Sequence, residues 1–253
     1  KEHNTAGRDS CRTGLPGSGS IERMNIKLTV AYDGTAYCGW QIQNQDDTIQ
    51  GRMEKALEKL HGHPVKITGA GRTDAGVHAY GQVVNFFTNG RIPIERVPLA
   101  VNSLLPDDIV VKEAWEAEAD FSARHSAKAK TYIYRIQQGT TPNPLTARYA
   151  WFERRQLDRS KMQAALDLIK GTHDFSAFRA AGGAPMSPVR TIYEARVEER
   201  PGDMLEFTIY GNGFLYHMVR NIIGTVANVG LGRISVARFA EIMESLDRHQ
   251  ASA

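Results

Sequence analysis

Arg72, Thr73 and Asp74 place a guanidinium, a hydroxyl and a carboxylate in consecutive positions of GAGRTDAGVHA, residues 69–79, on a backbone made largely of glycine and alanine. A stretch that only turned the chain would use one or two glycines and a solvent-facing polar residue. Phosphate loops do not fit. A Walker loop needs Lys and Ser/Thr after its last glycine, and Gly76 is followed by Val77 and His78. A dinucleotide fingerprint starting at Gly69 needs glycine where Asp74 stands, and that carboxylate would repel an anion. One carboxylate is half of a glycosidase pair, and no serine occupies an elbow motif. What is left is a lone carboxylate that can act as a nucleophile, on a backbone open to close approach by another molecule. The plainer alternative is an Arg72–Asp74 pair decorating a surface turn.

KTYIYRIQ (130–137) sets Lys130, Tyr132, Tyr134 and Ile136 on one strand face. That face combines stacking rings with a charge suited to phosphate, although Tyr134 can equally be core. Arg220 lies outside the apolar stripe of its segment, one turn beyond Tyr216. His173 and Asp174 are adjacent in the chain and so rarely face each other; they and His78 read as architecture. Cys11 and Cys38 are too few for a disulfide framework and have no metal-ligand spacing, which fits a reducing, cytoplasmic setting.

The chain of 253 residues is 42% hydrophobic and 23% charged, an ordinary globular composition with no apolar run of membrane-spanning length. Its net charge is +3, yet Phe121–Lys161 holds nine basic residues against two acidic ones, which leaves the remainder acidic. Such a strip suits a polyanion, or it is a solvated face.

The hydrophobic pattern outlines the elements that must carry these groups. Residues 1–23 are polar and glycine-rich and read as a disordered extension or start-site artefact. NIKLTVAY (25–32) alternates as a strand with Ile26, Leu28, Val30 and Tyr32 on one face. Thr48 caps a helix through Leu60 that closes at Gly62. PVKIT (64–68) and QVVNFF (82–87) read as strands on either side of the 69–79 loop. Pro98 starts a helix with Val101, Leu104 and Leu105 inward, and DIVVKEAW (108–115) is a strand. After the 130–137 strand comes a helix near 158–170, two strands around the turn RPGD, and a helix opened by GNG that carries Leu215, Met218, Ile222 and Val226. The last helix is capped by Ser235 and carries Phe239, Ile242, Met243 and Leu246. These elements predict an α+β fold of two similar subdomains, 24–120 and 121–253. Each would have mainly antiparallel sheet with helices on one side, and an active-site cleft would lie between them.

GRTDAGVHA closely resembles the signature loop of the tRNA pseudouridine synthase A family. YDGTAYCGWQIQ (32–43) is similar to the family's opening strand and loop, and FSARHSAKAKTYIY (121–134) to the segment bearing its active-site tyrosine. GTHDFSAF (171–178) and GNGFLYHMVRNIIGT (211–225) resemble its late motifs. The five stretches are collinear, and the resemblance spans residues 24–248. It implies a cofactor-free, metal-free isomerisation of uridine to pseudouridine at positions 38, 39 and 40 of tRNA. By the same resemblance Asp74 is the essential carboxylate and Arg220 pairs with it. Tyr132 stacks on the target base, and Arg72 enters the space left when that base is flipped out. One carboxylate can attack either the sugar or the base. The resemblance also implies a homodimer in which one tRNA touches both subunits. Family chains continue past the last helix with a short apolar strand, whereas this sequence stops at DRHQASA, so a second subdomain lacking its last strand is expected. An idle RNA-binding module and a uracil-releasing glycosylase are the competing classes; a mere binder has no need of Asp74.

Overall fold

Alternating apolar residues make β1 (Met24–Tyr32), whose Ile26, Leu28, Val30 and Tyr32 are buried as the pattern predicts. The computed structural model describes residues 23–43, 46–90, 92–183 and 186–252. The N-terminal stretch read as an extension lies outside the described residues except for Arg23. Thr48 caps α1 (Ile49–His61) by accepting a hydrogen bond from the Gly51 N–H at 3.2 Å, and Gly62 closes it in the left-handed region with φ 73°. Ile49, Met53, Ala56 and Leu57 of α1 share one core with the buried face of β1.

β2 (Thr68–Gly69), β3 (Ala79–Thr88), α2 (Val97–Asn102) and β4 (Ile109–Ala117) complete this layer pair. The strands pair antiparallel in the order β2-β3-β1-β4, with Leu28 between Val84 and Ala114. Two expectations are corrected. Residues 64–67 are not strand: Val65 and Ile67 bury their side chains, but the Ile67 N–H donates to Glu54 Oε1 of α1 at 3.2 Å instead of to a neighbouring strand. The second helix ends at Asn102, because the Asn102 side chain bonds the Val111 backbone at both its N–H (2.8 Å) and its carbonyl (2.9 Å). Of the expected inward set only Val101 is fully buried, Leu105 is half-buried, and Leu104 is exposed.

On the face of this sheet opposite α1, buried Asn25 and Asn85 tie down the segment that leaves β4. Asn25 Nδ2 donates to the carbonyls of Glu118 and Phe121, both at 2.8 Å. Asn85 bonds Asn25 Oδ1 and the Phe121 carbonyl and accepts from the Ala123 N–H at 2.9 Å. The single turn α3 (Ala123–Ser126) follows, and the chain divides into two compact units between His125 and Ser126.

The second unit is built from β5 (Lys130–Gln138), β6 (Trp151–Glu153), α4 (Arg159–Leu168), β7 (Gly171–Asp174), β8 (Val189–Arg200), β9 (Met204–Gly211), α5 (Met218–Gly230) and α6 (Val236–Ser245). Its sheet runs β6-β5-β9-β8-β7, antiparallel except for the β5–β6 pair. Period two sends Leu205, Phe207 and Ile209 of β9 into a core with Met162 and Leu166 of α4, Ile222, Ile223 and Val226 of α5, and Phe239 of α6. The opposite face carries a ladder of ion pairs from Arg135 through Glu206, Arg200, Glu198 and Arg196 to Glu194. Asp158 and Ser235 cap α4 and α6, each accepting a backbone N–H at 3.0 Å. Two boundaries differ from expectation. α5 begins at Met218, not directly after the GNG stretch, because His217 takes a left-handed φ of 55°. Leu246 is also left-handed and exposed, so it ends α6 instead of packing under it. After α6 the chain returns to α5: Arg248 Nη2 bonds Asn221 Oδ1 at 3.1 Å, and the Ser252 N–H donates to Thr225 Oγ1 at 3.0 Å.

Candidate active site

The 69–79 loop leaves β2 and enters β3, whose pairing anchors both ends: Ala70 N–H donates to the Val83 carbonyl at 2.8 Å, and Gln82 Nε2 to the Gly71 carbonyl at 2.7 Å. Between these anchors a second loop, residues 33–43 after β1, interlocks with it. The Trp40 N–H donates to the Thr73 carbonyl at 3.0 Å, and the Gly76 N–H to the Tyr37 carbonyl at 3.3 Å. The Tyr32 hydroxyl bonds Thr73 Oγ1 at 2.9 Å, and the Gly34 N–H donates to His78 Nδ1 at 3.0 Å. His78 Nδ1 also lies 2.9 Å from Asp33 Oδ1, so this histidine ties the end of its loop to the residues that follow β1.

Glycine is required where the two loops touch. A Cβ at Gly39 would stand 2.7 Å from the Thr73 carbonyl oxygen, and one at Gly69 would stand 2.9 Å from the Trp40 ring. Gly69, expected with the rest of its loop to admit another molecule, here admits the protein's own second loop, and Gly39 of that loop does the same in return. The second loop is itself anchored: the Tyr37 hydroxyl donates to Asp108 Oδ1 at 2.6 Å. Burial, then that hydrogen bond and the Asp108 charge, push the Tyr37 hydroxyl far up, so it remains a donor. Within this frame Asp74 is half-buried and Arg72 exposed, two residues apart on one loop.

Tyr132 and Arg220 belong to the second unit. Tyr132, on β5 opposite Ile209, is half-buried and meets Phe214 edge to face with ring centroids 4.8 Å apart. Tyr134, two residues along the same strand face, packs against the core; burial pushes its hydroxyl up while the Arg220 charge opposes the rise. Arg220 is exposed in the first turn of α5, three residues after the strained His217, and no acidic residue stands in that turn. Backbone held in a sparsely populated region marks places where the surrounding structure over-determines the geometry.

The basic strip is partly neutralised by neighbouring carboxylates. Arg135 pairs with Glu206 and Arg155 with Glu153, both at 2.9 Å, while Lys161 pairs with Asp158 at 3.1 Å and Arg159 with Glu199 at 3.4 Å. Arg124, Lys128, Arg148 and Arg154 make no ion pair among the described residues. Among the described residues no group of three or more His, Cys, Asp or Glu side chains is arranged to hold a metal, and no helix among them is long and apolar enough to cross a membrane.

From the sequence Tyr32 reads only as a buried strand residue, and Tyr37, Trp40 and Asp108 are not singled out. The signal for the three aromatics was the alternation of aromatics and glycines in YDGTAYCGW, and Asp108 had none. A profile of the family described as tRNA pseudouridine synthase matches residues 28–126 and 165–253. Arg72, Asp74 and Arg220 lie inside those stretches, and Tyr132 lies between them. The tRNA pseudouridine synthase A of Acetivibrio thermocellus is 46% identical over 227 residues, covering 90% of this chain and 93% of that protein. The enzyme of the same name from Lacticaseibacillus casei is 46% identical over 229 residues, with 90% and 93% covered. That of Halalkalibacterium halodurans is 45% identical over 227 residues, covering 89% of this chain and 86% of the relative. Similarity of this extent along both units establishes that the chain belongs to the tRNA pseudouridine synthase family.

Proposed function

We propose that this protein isomerises uridine to pseudouridine in the anticodon stem and loop of tRNA, with Asp74 as the essential carboxylate. The observation that carries the reading is the placement of Asp74: a half-buried carboxylate on a loop whose backbone is clasped by a second loop, within a chain of this family. A carboxylate held in place is suited to a reaction in which the bond from C1′ to uracil N1 breaks, the base turns, and C1′ bonds to C5. The C5 proton is lost and N1 gains one, so the reaction is a balanced isomerisation with no cofactor. Ionised Asp74 can serve by attack at C1′ or by addition to the base ring, and it needs no partner carboxylate for either. The exposed Arg220 is read as its ionic partner, aiming the carboxylate.

A uridine in a helical arm must leave the stack to be reached, at a cost of a few kcal/mol. We assign Tyr132 to stacking on the extruded base and Arg72 to filling the gap it leaves. Since several uridines would use one Asp74, recognition rests on RNA shape and backbone. A cytoplasmic homodimer, with one tRNA touching both subunits, completes the proposal. The test is incubation of tRNA with the protein followed by mapping of pseudouridine. Conversion confined to the anticodon arm is expected; unchanged uridine there would overturn the reading, and released uracil would replace it with a glycosylase.

A further inference from the structure

We propose that Tyr32 is a positioning residue for Asp74, acting through its hydroxyl on Thr73. The proposal rests on the role given to Asp74 above. Tyr32 is the last residue of β1, 4% exposed, with its ring 5.9 Å from that of Trp40. It comes directly after the register shift between Val30 and Tyr32 in the pairing with β3. Its hydroxyl bonds Thr73 Oγ1 at 2.9 Å.

Thr73 is thereby held twice, at its side chain by Tyr32 and at its carbonyl by the Trp40 N–H at 3.0 Å. The carbonyl bond fixes one edge of the peptide that joins Thr73 to Asp74. The hydroxyl bond fixes the Thr73 side chain and with it the remaining rotation at the residue before the carboxylate. On the far side of Asp74 the chain is held by the Val77 N–H on the Asp74 carbonyl at 3.1 Å and by Gly76 on Tyr37 at 3.3 Å. The carboxylate is thus bracketed, and of these restraints only the Tyr32–Thr73 bond is made between two side chains. It can be removed without touching the backbone. A catalytic group displaced by about 1 Å costs on the order of a hundredfold in rate. Tyr32 is too deeply buried to offer RNA a contact surface, so its effect belongs to the chemical step and not to tRNA affinity.

The test is a double-mutant cycle read by steady-state kinetics on tRNA. Tyr32→Phe and Thr73→Val should each lower kcat by about tenfold or more, with KM held within about twofold. The double variant should be no worse than either single one, because both remove the same bond. Thr73→Ser, which keeps the hydroxyl, should restore most of the rate. A purely structural tyrosine would lower the melting temperature and leave kcat of the folded fraction unchanged. Tyr32→Phe at the wild-type kcat, or losses that multiply in the double variant, would overturn the positioning role alone. Should Tyr32→Phe fold poorly, the contrast between Thr73→Val and Thr73→Ser decides, and equal rates for those two overturn the role. A wild-type protein that binds tRNA and forms no pseudouridine would overturn the role of Asp74 and this proposal together.

Discussion

Gly39 lies against the backbone of Asp74: a Cβ placed on it would stand 3.1 Å from the Asp74 carbonyl carbon and 2.7 Å from the Thr73 carbonyl oxygen. Its φ of 88° is itself one that L side chains rarely adopt. Gly39→Ala therefore meets two penalties, about 1–2 kcal/mol for the left-handed backbone and about 1–3 kcal/mol for overpacking. We expect a lowered melting temperature together with a loss of roughly a hundredfold in pseudouridine formation, since the displaced peptide carries the carboxylate. Wild-type activity in this variant would show that the loops separate without consequence.

Asp74→Ala should abolish conversion while tRNA binding stays the same or tightens, because a negative charge facing RNA is removed. Binding by anisotropy and pseudouridine mapping on one preparation separate the two effects. Turnover near the parent rate would withdraw the role from Asp74.

Arg220 occupies an unfavourable place for a cation. It sits in the first turn of α5, where the helix dipole is positive, and His217 supplies no side-chain cap. Arg220→Glu should therefore stabilise the fold by about 0.3–1 kcal/mol while eliminating activity. Calorimetry beside the conversion assay checks this, and an Arg220→Glu protein that melts lower would mean the arginine is structural.

Arg154 and Arg155 are neighbours with different roles. Arg155 donates to both oxygens of Glu153, and that hydrogen bond, ahead of the opposing desolvation, holds the Glu153 carboxyl below its ordinary range. A carboxylate whose folded pKa is depressed contributes stability above its unfolded pKa and loses it as pH falls through the folded value. Arg155→Ala should thus cost stability at neutral pH, with the gap from wild type closing below the ordinary glutamate range, and leave tRNA affinity little changed. Arg154→Ala should leave the melting curve unaltered and reduce the salt slope of tRNA binding by about one. The reverse pattern would show that the strip was assigned to the wrong arginine.

The sequence disclosed most clearly what local chemistry decides. Thr48 and Gly62 delimit α1 because a hydroxyl cap and a left-handed stop are properties of single residues. β1 was legible because one buried face imposes period two. Residues 64–67 looked like strand because Val65 and Ile67 alternate, yet the partner of the Ile67 N–H is a carboxylate thirteen positions earlier, which no periodicity encodes. The start of α5 was misplaced for a similar reason: apolar spacing runs back to Leu215, while the strained His217 sets the boundary. At the site, Asp74 stood out by its residue type. The second loop that clasps it did not, since its bonds are backbone to backbone and its glycines signal only that something comes close.

The amide pair of Asn25 and Asn85 has a consequence for biosynthesis. Asn25 is the second residue of β1, but both carbonyls it donates to, Glu118 and Phe121, are made more than ninety residues later. Until that segment emerges from the ribosome, the two amides can bond only each other and water, although every strand of the first sheet has already been synthesised. Completion of the unit that carries Asp74 is thereby tied to translation as far as Ala123, whose N–H closes the cluster on Asn85. A fragment cut at the end of β4 would keep all four strands and leave these amides without their carbonyls, so a stable excised first unit must extend through residue 123.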